Sequence, residues 1–477
     1  MNYLQWIPII LCFLLAVIAA GHALIFKSDS RAALGWIAVC LIFPLLGPLL
    51  YFFFGINRIR TRAQKLTPLY HFKFDIDSEQ PDEQIESAIA SSTASPELLQ
   101  ILRISRAVTR RPLVGGNTIK LLKNGEQAYP AMMEAINNSQ YSLFLSTYIF
   151  ETNKTGRQFI AALTQATRRG VDVRVIIDGF GELYSFPRAG ALLEKGDVPI
   201  TRFLPPKLIP PTFHINLRNH RKLLVADGRV GFIGGMNIGD RHLAQVQGNP
   251  RRVVDLHFQL AGPIASQIER VFLEDWVFCT GGQMPERPVC SDSTDDIICR
   301  TIADGPTEDH DKLSMIMFGA VTSSRHRISI MTPYFLPSRD LVTALQNAAL
   351  RNVEVSILLP AKNNLPFIQW ATAKMLWQLL QKGVRVYYQP PPFVHSKLFI
   401  VDDHYAQVGS ANIDPRSLRL NFELAVEVYG EQVADVLSPH FYQCLSKSRE
   451  VTFEEVEARS IPIRIRDAFV WLFSPYL

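Results

Sequence analysis

Two stretches of the sequence carry the same chemically capable residues in the same order. Residues 219–240 read NHRKLLVADGRVGFIGGMNIGD, and residues 394–415 read VHSKLFIVDDHYAQVGSANIDP. Both follow the pattern H-x-K-x4-D-x6-G-[GS]-x-N. One such match can arise by chance, but two with the same glycine and Asn tail indicate a function. The pattern selects His220, Lys222, Asp227, Asn237, His395, Lys397, Asp402 and Asn412 as candidate site residues.

The residue types in this pattern suit a phosphate group. Side chains two apart in a strand project to the same face, so each histidine is expected beside its lysine. Ammonium and amide groups can hold a tetrahedral anion. Of two imidazoles, one can attack phosphorus while the other donates a proton to the departing oxygen. The pattern therefore predicts phosphodiester chemistry in which lysines stabilise the charge, and no metal and no cofactor are expected.

The motifs end two copies of a longer repeat. Residues 142–178 and 327–360 each read as an apolar strand, an aromatic turn, a helix and a β-branched strand. Alternating strands and helices predict an α/β fold with largely parallel sheets covered on both faces. Two similar α/β halves should then pack around one active site, which would bring His220 and His395 together.

The N-terminal region is strongly apolar. Residues 7–26 and 32–54 are two runs of membrane-spanning length, separated by a short polar turn. Four basic residues follow the second run: Arg58, Arg60, Arg62 and Lys65. By the positive-inside rule they belong on the cytoplasmic side, which predicts a two-helix transmembrane hairpin with both ends in the cytoplasm. A cleaved signal peptide is the alternative for the first run, but that run lacks a basic leader.

Changes in composition along the sequence predict the domain boundaries. We expect the hairpin in residues 1–65, a linker and lead-in helix in 66–114, the first half in 115–290 and the second half in 291–450. The tail 451–477 either lies in the lipid headgroup layer or packs on the body. The net charge of +5 suits an anionic partner without identifying one, and no basic and aromatic strip indicates nucleic acid. The six cysteines lack metal spacing and favour a reduced setting, with a Cys290–Cys299 disulfide as the alternative.

The doubled motif resembles the phospholipase D superfamily, and the chain as a whole resembles bacterial cardiolipin synthases. The resemblance rests on the hairpin and on NHRK, IGGMNIGD, DLHFQLAGP, FLEDW, GSANIDPRSLRLNFEL and LFSPYL. It implies phosphatidyl transfer between two phosphatidylglycerol molecules through a phosphohistidine, giving cardiolipin and glycerol at the bacterial inner membrane. Phosphatidylethanolamine as donor stays open. Oligomeric state is not indicated by the sequence.

The resemblance also implies a role for each site residue. His220 is expected as nucleophile and His395 as general acid and then base, although the superfamily does not fix which half attacks. Lys222, Lys397, Asn237 and Asn412 are assigned to phosphate oxygens. Asp227 and Asp402 belong to the catalytic motif, but their places at strand ends fit a structural role equally well. Glu423 and Asp255 occupy parallel places and are expected to orient an imidazole, Asp255 less securely because its spacing from the histidine differs.

Two other functions compete with transfer. A membrane-anchored hydrolase of the phospholipase D type would use the same site with water as acceptor. A lipid-binding scaffold without catalysis would not need both motifs intact. A nuclease fits poorly with the apolar N-terminal hairpin.

Overall fold

A computed structural model describes residues 6–27, 30–55, 96–208, 211–212, 217–246, 248–285, 297–305 and 311–474. These residues form two compact units, one within residues 6–55 and one within 96–474, and each is described by itself. The predicted linker segment 66–95, the basic cluster at 58–65 and Cys290 lie outside the described residues.

In the N-terminal unit, helix α1 (Trp6–Phe26) is the one described helix that is long and apolar enough to cross a membrane. The second apolar run does not form one long helix. It divides into α2 (Ser30–Ile42), α3 (Leu46–Leu50) and a π turn (Tyr51–Gly55). The break falls before Pro44, because a proline disfavours helical geometry in the preceding residue. The N-terminal unit therefore has one long apolar helix and a shorter one, in agreement with the predicted pair of apolar helices.

The second unit contains nineteen described strands and thirteen described α-helices. The strands are β1 Val114–Lys123, β2 Ser142–Thr147, β3 Asp172–Asp178, β4 Ile200–Phe203, β5 Lys207–Leu208, β6 Pro211–Thr212, β7 Leu223–Ala226, β8 Val230–Gly234, β9 Val253–Val254, β10 Leu256–Ala261, β11 Ile297–Asp304, β12 Arg327–Met331, β13 Glu354–Pro360, β14 Arg385–Gln389, β15 Phe393–Val394, β16 Leu398–Val401, β17 Tyr405–Gly409, β18 Glu423–Tyr429 and β19 Arg449–Val451. The helices are α4 Pro96–Thr109, α5 Asn124–Asn138, α6 Lys154–Arg168, α7 Ala189–Glu194, α8 Pro263–Thr280, α9 Lys312–Ser323, α10 Arg339–Leu350, α11 Pro366–Leu380, α12 Pro415–Arg419, α13 Gln432–Val436, α14 Ser438–Leu445, α15 Phe453–Glu457 and α16 Ile461–Trp471.

Fifteen of these strands form one continuous sheet in which the two halves have the same strand order. The first half runs β1-β10-β8-β7-β2-β3-β4, and the second runs β11-β18-β17-β16-β12-β13-β14 with β19 at its edge. The halves join where β1 pairs antiparallel with β11. The internal repeat predicted from the sequence is thus the repeat of the fold, and the α/β class is confirmed.

The expectation of largely parallel sheets is wrong. Only β2-β3-β4 and β12-β13-β14 run parallel, and the other neighbours in the sheet are antiparallel. The parallel part corresponds to the repeated strand-helix-strand segments. The motif strands β7 and β16 turn directly into β8 and β17 as tight hairpins, and a hairpin can only pair antiparallel.

Asp227 and Asp402 lie in these hairpin turns and hold the start of a neighbouring strand. The Asp227 carboxylate accepts hydrogen bonds from the backbone N–H groups of residues 140–142, and Asp402 accepts from those of residues 325–327. Both aspartates have left-handed backbone conformations, with φ of 55° and 52°. Their hydrogen bonds favour the structural alternative for both residues over a chemical role.

Replacing Asp227 tests that structural role. Asp227→Ala leaves three backbone donors without their acceptor and places alanine at a positive φ, so we expect a loss of about 1–2 kcal/mol and a thermal midpoint lower by a few degrees. Asp227→Asn keeps one acceptor oxygen and tolerates positive φ, so its loss should be smaller. Thermal unfolding of the full chain in detergent measures both. Equal stability of the two variants and the parent would contradict the assignment.

Candidate active site

The two histidines are each held by the backbone of the opposite half. His220 N–H donates to the Phe422 carbonyl at 2.9 Å, beside a bridge that joins Asn219 to Phe422. His395 N–H donates to the Val254 carbonyl at 2.7 Å, directly after β15 pairs with β9. Each motif therefore begins at a seam between the halves. The two seams are close enough that Lys397 of the second half lowers the pKa of His220 and Lys222 of the first half lowers the pKa of His395, as expected of one site.

The imidazole of each histidine also contacts a residue of the opposite half. His220 Nδ1 lies 2.9 Å from Glu423 Oε1, and His395 Nδ1 lies 2.8 Å from Asp255 Oδ2. Each histidine of one half is thus paired with the acid of the other half. The structure places Asp255 and Glu423 in equivalent positions, at the start of β10 and β18. Their unequal spacing from the histidines arises because the first half has a longer excursion between β8 and β10, which includes a 3-10 turn at Asp240–His242.

Both carboxylates are fully buried and ionised. Burial by itself opposes the charged form, but the neighbouring His395 and Lys397 hold the pKa of Asp255 below its usual value. His220 and Lys222 do the same for the pKa of Glu423. An ionised carboxylate can only accept, so each Nδ1 carries the hydrogen and donates it. This tautomer leaves both Nε2 atoms unprotonated, as a nucleophile or base requires.

Different neighbours fix the two acids. Glu423 also accepts from Ser410 Oγ at 2.5 Å and from Asn421 Nδ2 at 3.3 Å. In the first half Gly235 takes the place of Ser410, and a Cβ there would stand 2.5 Å from the Asp255 carboxylate. The G-[GS] position of the motif is therefore small because an acid packs directly on it.

Two buried lysines supply the positive charge of the site. Lys222 Nζ donates to the His220 carbonyl and Lys397 Nζ to the His395 carbonyl, both at 2.6 Å. Lys397 Nζ also lies 3.1 and 3.2 Å from the two ring nitrogens of His395. Burial lowers the pKa of Lys222 to about 7 and that of Lys397 to about 8. The side-by-side placement predicted for each His and Lys pair is present in both halves.

Burial also lowers the pKa of both imidazoles. The pKa falls to about 4 for His220 and to about 4 for His395, against the opposing attraction of Glu423 and Asp255. Lys397 lowers the pKa of each histidine further. Both rings are therefore neutral at pH 7 before an anion enters.

The two asparagines of the motif have partners that limit their roles. Asn237 Oδ1 accepts from the Ile149 N–H at 3.0 Å, which leaves its Nδ2 group for a ligand. Asn412 Nδ2 donates to Ser417 Oγ at 3.1 Å, and its Oδ1 is buried without a hydrogen-bond partner. The expected role as amide donor therefore fits Asn237 better than Asn412.

Two tyrosines flank the imidazoles, and the sequence reasoning did not assign them to the site. The ring centroids are 5.5 Å apart for Tyr148 and His220 and 6.1 Å for Tyr334 and His395. Each tyrosine lies in the turn after a repeated strand, β2 or β12. In both turns a threonine hydroxyl donates to the carbonyl two residues later, Thr147 to Ile149 and Thr332 to Tyr334. The sequence feature that could have indicated these tyrosines is the aromatic residue in the turn of each repeat.

In the described parts of the chain, no group of three or more His, Cys, Asp and Glu side chains is arranged to hold a metal ion. The positive charge that the described site offers to an anion comes from Lys222 and Lys397.

The lysines predict a specific pH dependence for anion binding. A lysine is charged below its pKa, so Lys222 and Lys397 lose their charge as the pH rises through about 7 and about 8. We expect the affinity for tungstate, a tetrahedral anion whose own charge is constant here, to weaken by up to about tenfold per pH unit for each lysine. Calorimetric titration at several pH values measures this. The same affinity across the range would contradict it, and Lys222→Met should flatten the dependence.

Comparisons with known proteins match both halves of this fold. The family model described as "Cardiolipin synthase, PLD-like domain" matches residues 132–276 and 317–445, one match in each half. A second family model, "Phospholipase_D-nuclease N-terminal", matches residues 14–55.

Several relatives match almost the whole chain. Cardiolipin synthase A of Pseudomonas putida F1 is 30% identical over 93% of this chain and 92% of its own. Major cardiolipin synthase ClsA of Bacillus subtilis 168 is 30% identical over 98% of both chains. Phosphatidylserine synthase of Haemophilus influenzae Rd KW20 shares the fold, with a TM-score of 0.63 at 14% identity over 79% of this chain and 100% of its own. The chain belongs to the cardiolipin synthase family of phospholipase D-like proteins.

Proposed function

We propose that this chain is a cardiolipin synthase that transfers a phosphatidyl group from one phosphatidylglycerol to the hydroxyl group of a second. The observation that supports this most strongly is the crossed pairing of each Nδ1 with a buried acid, which leaves both Nε2 atoms without a proton and able to act on one phosphate. The names of the similar bacterial proteins support the same reaction.

Transfer would proceed in two displacements. His220 Nε2 attacks the phosphorus of the donor, the bond from phosphorus to the glycerol headgroup oxygen breaks, and His395 protonates that oxygen. The products are free glycerol and a phosphatidyl group on His220. A hydroxyl of the second phosphatidylglycerol then attacks this phosphorus, His395 takes its proton, and the nitrogen–phosphorus bond breaks to give cardiolipin.

The two histidines need different protonation states, and a bound anion favours protonation of the ring that acts as the acid, which we assign to His395. His220 is neutral at pH 7 and can attack directly. The negative phosphodiester raises the pKa of His395 from about 4, because an opposite charge favours the protonated ring. We assign Lys222, Lys397 and Asn237 to the phosphate oxygens, with a smaller contribution from Asn412. Glu423 and Asp255 act as positioning residues through His220 and His395.

We place the protein in the bacterial inner membrane as a multi-pass protein. Its second unit, residues 96–474, which contains the candidate active site and is called the catalytic unit below, would face the cytoplasm. Helix α1 is long enough to cross, and α2, α3 and the π turn continue the apolar run over residues 30–55. The basic residues at 58–65 of the sequence favour a cytoplasmic exit.

The decisive assay supplies the full chain in vesicles with phosphatidylglycerol that carries a radioactive phosphate. We expect cardiolipin and unlabelled glycerol in equal amounts, and a loss of about 1,000-fold or more in His220→Ala and His395→Ala. Brief reactions quenched in alkali preserve a phosphohistidine, and peptide mapping should find the label on His220.

Controls separate this proposal from its rivals. His326→Ala removes an exposed histidine and should keep full activity. Phosphatidic acid as the main product would indicate a hydrolase, and lipid binding without turnover would indicate a scaffold. A label on His395 would reverse the roles of the two histidines. In sealed inverted membranes added protease should reach the catalytic unit, and protection there would contradict the cytoplasmic orientation.

A further inference from the structure

The segments around the candidate active site display apolar side chains to solvent. The loop 179–188 follows β3, and within it Leu183, Tyr184 and Phe186 are 46%, 60% and 94% exposed. Scattered exposed apolar residues are ordinary, but a group of them at one site needs an occupant.

This loop is fixed to the active site. The Asp178 carboxylate accepts from the backbone N–H groups of Phe180 and Gly181, and also from that of Asn219, the residue before His220. The Tyr184 ring lies 6.3 Å from the ring of Tyr148, which flanks His220. The loop thus forms one side of the entrance to the site.

The loop is also held in a defined shape. Thr152 donates its N–H to Ser185 Oγ at 2.9 Å and its hydroxyl to the Pro187 carbonyl at 2.9 Å. These hydrogen bonds fix Ser185 and Pro187, the residues on both sides of Phe186, while the Phe186 side chain is exposed to solvent. An exposed phenylalanine on an anchored turn is suited to enter an apolar phase without rearrangement.

A second apolar segment approaches the entrance from the other half. Tyr334, beside His395, donates its hydroxyl to Asn364 Oδ1 at 2.9 Å, and α11 begins two residues later at Pro366. Helix α16 packs on α11: Arg459, just before α16, donates to the Ala373 carbonyl, and Arg466 stacks on Trp370. Trp370 lies four residues after Pro366, so α16 contacts α11 near the end of α11 that begins beside Tyr334 and the entrance.

Helix α16 keeps an apolar face uncovered. Ile461, Ile465 and Phe469, spaced four apart on one side of the helix, are 72%, 64% and 61% exposed. Leu472 and Phe473 continue this face at 65% and 49% exposure. The opposite side packs inward through Val470 and the buried Asp467.

The charges of these segments complement an anionic surface. The exposed charged residues of 179–188, 361–370 and 461–473 are all basic: Arg188, Lys362, Arg464 and Arg466. The two acidic residues within these segments, Glu182 and Asp467, are 2% and 1% exposed. Glu182 binds Arg202, and Asp467 binds Arg459 and Arg466. Arg464 lies 3.9 Å from Glu457, so Arg188 and Lys362 are the cations of these segments for which the described part of the chain gives no carboxylate partner. Apolar side chains rimmed by cations match the interface of a bilayer that contains anionic phospholipid.

We propose that loop 179–188 and helix α16 form a bilayer-docking surface that seats the active-site entrance on anionic membrane lipid. The inference rests on the proposed function in that the lipid substrate then reaches the histidines without leaving the bilayer. The surface consists of residues of the second unit only.

Photo-crosslinking in the full chain tests this placement without requiring turnover. The protein carries p-benzoylphenylalanine in place of Phe186 or Phe469 and is reconstituted in vesicles of phosphatidylglycerol and phosphatidylcholine. Tyr141, 68% exposed at the start of β2 and so at the opposite end of that strand from Tyr148, is the matched control position. We expect lipid adducts by mass spectrometry at 186 and 469, several-fold above those at 141. Equal labelling at all three, or adducts to a second protein chain, would overturn the proposal.

Activity measurements give an independent readout. Phe186→Ser and Phe469→Ser should each lower turnover of long-chain phosphatidylglycerol in vesicles by about tenfold, because each removes apolar area from the lipid phase. Turnover of a soluble short-chain phosphatidylglycerol should stay unchanged, as should both activities of Tyr141→Ser. Loss with both substrates, or with neither, would contradict docking. If the parent made no cardiolipin yet positions 186 and 469 labelled lipid, the proposed function would fail while the docking surface stood.

Discussion

A buried carboxylate is costly unless it is paired, and in this fold each buried acid of the site finds its histidine across the boundary between the halves. Glu423 requires His220 and Asp255 requires His395, both at hydrogen-bond distance and both removed from water. Neither half therefore supplies its own acid with an imidazole. The shared β1–β11 edge and the two short seams at Phe422 and Val254 serve to bring these pairs together.

The same crossing explains how repeated motifs can perform unequal tasks. The strand order is the same in both halves, yet the surroundings of the acids differ. Glu423 is longer by one methylene and is held by Ser410 and Asn421, whereas Asp255 packs against Gly235 and accepts from its neighbour Leu256 N–H. Lys397 contacts the ring of His395 as well as its carbonyl. In the mechanism that we propose, differences of this kind would let one imidazole attack while the other carries the proton.

Much of this arrangement could be predicted from the sequence, because the duplicated pattern identifies the histidines and lysines and the repeat identifies the α/β halves. The pairing of each acid with the opposite histidine could not be predicted, because it depends on strand order and on contacts across long stretches of chain. Asp255 and His395 are 140 positions apart, and His220 and Glu423 are 203 positions apart. The antiparallel motif hairpins were missed because their strands read as buried apolar runs, which parallel and antiparallel strands share. Asp227 and Asp402 look catalytic in the motif but bond to the backbone, a distinction that spacing alone does not carry.

The crossed pairing itself is tested most directly by nitrogen NMR of the full chain with ¹⁵N-labelled histidine, comparing the parent with Glu423→Gln and Asp255→Asn. His220→Ala and His395→Ala assign the two signals. The crossed arrangement predicts that Glu423→Gln shifts the Nδ1 resonance of His220 and Asp255→Asn shifts that of His395. A shift of His395 on changing Glu423, or of His220 on changing Asp255, with no change in the crossed partner, would contradict it.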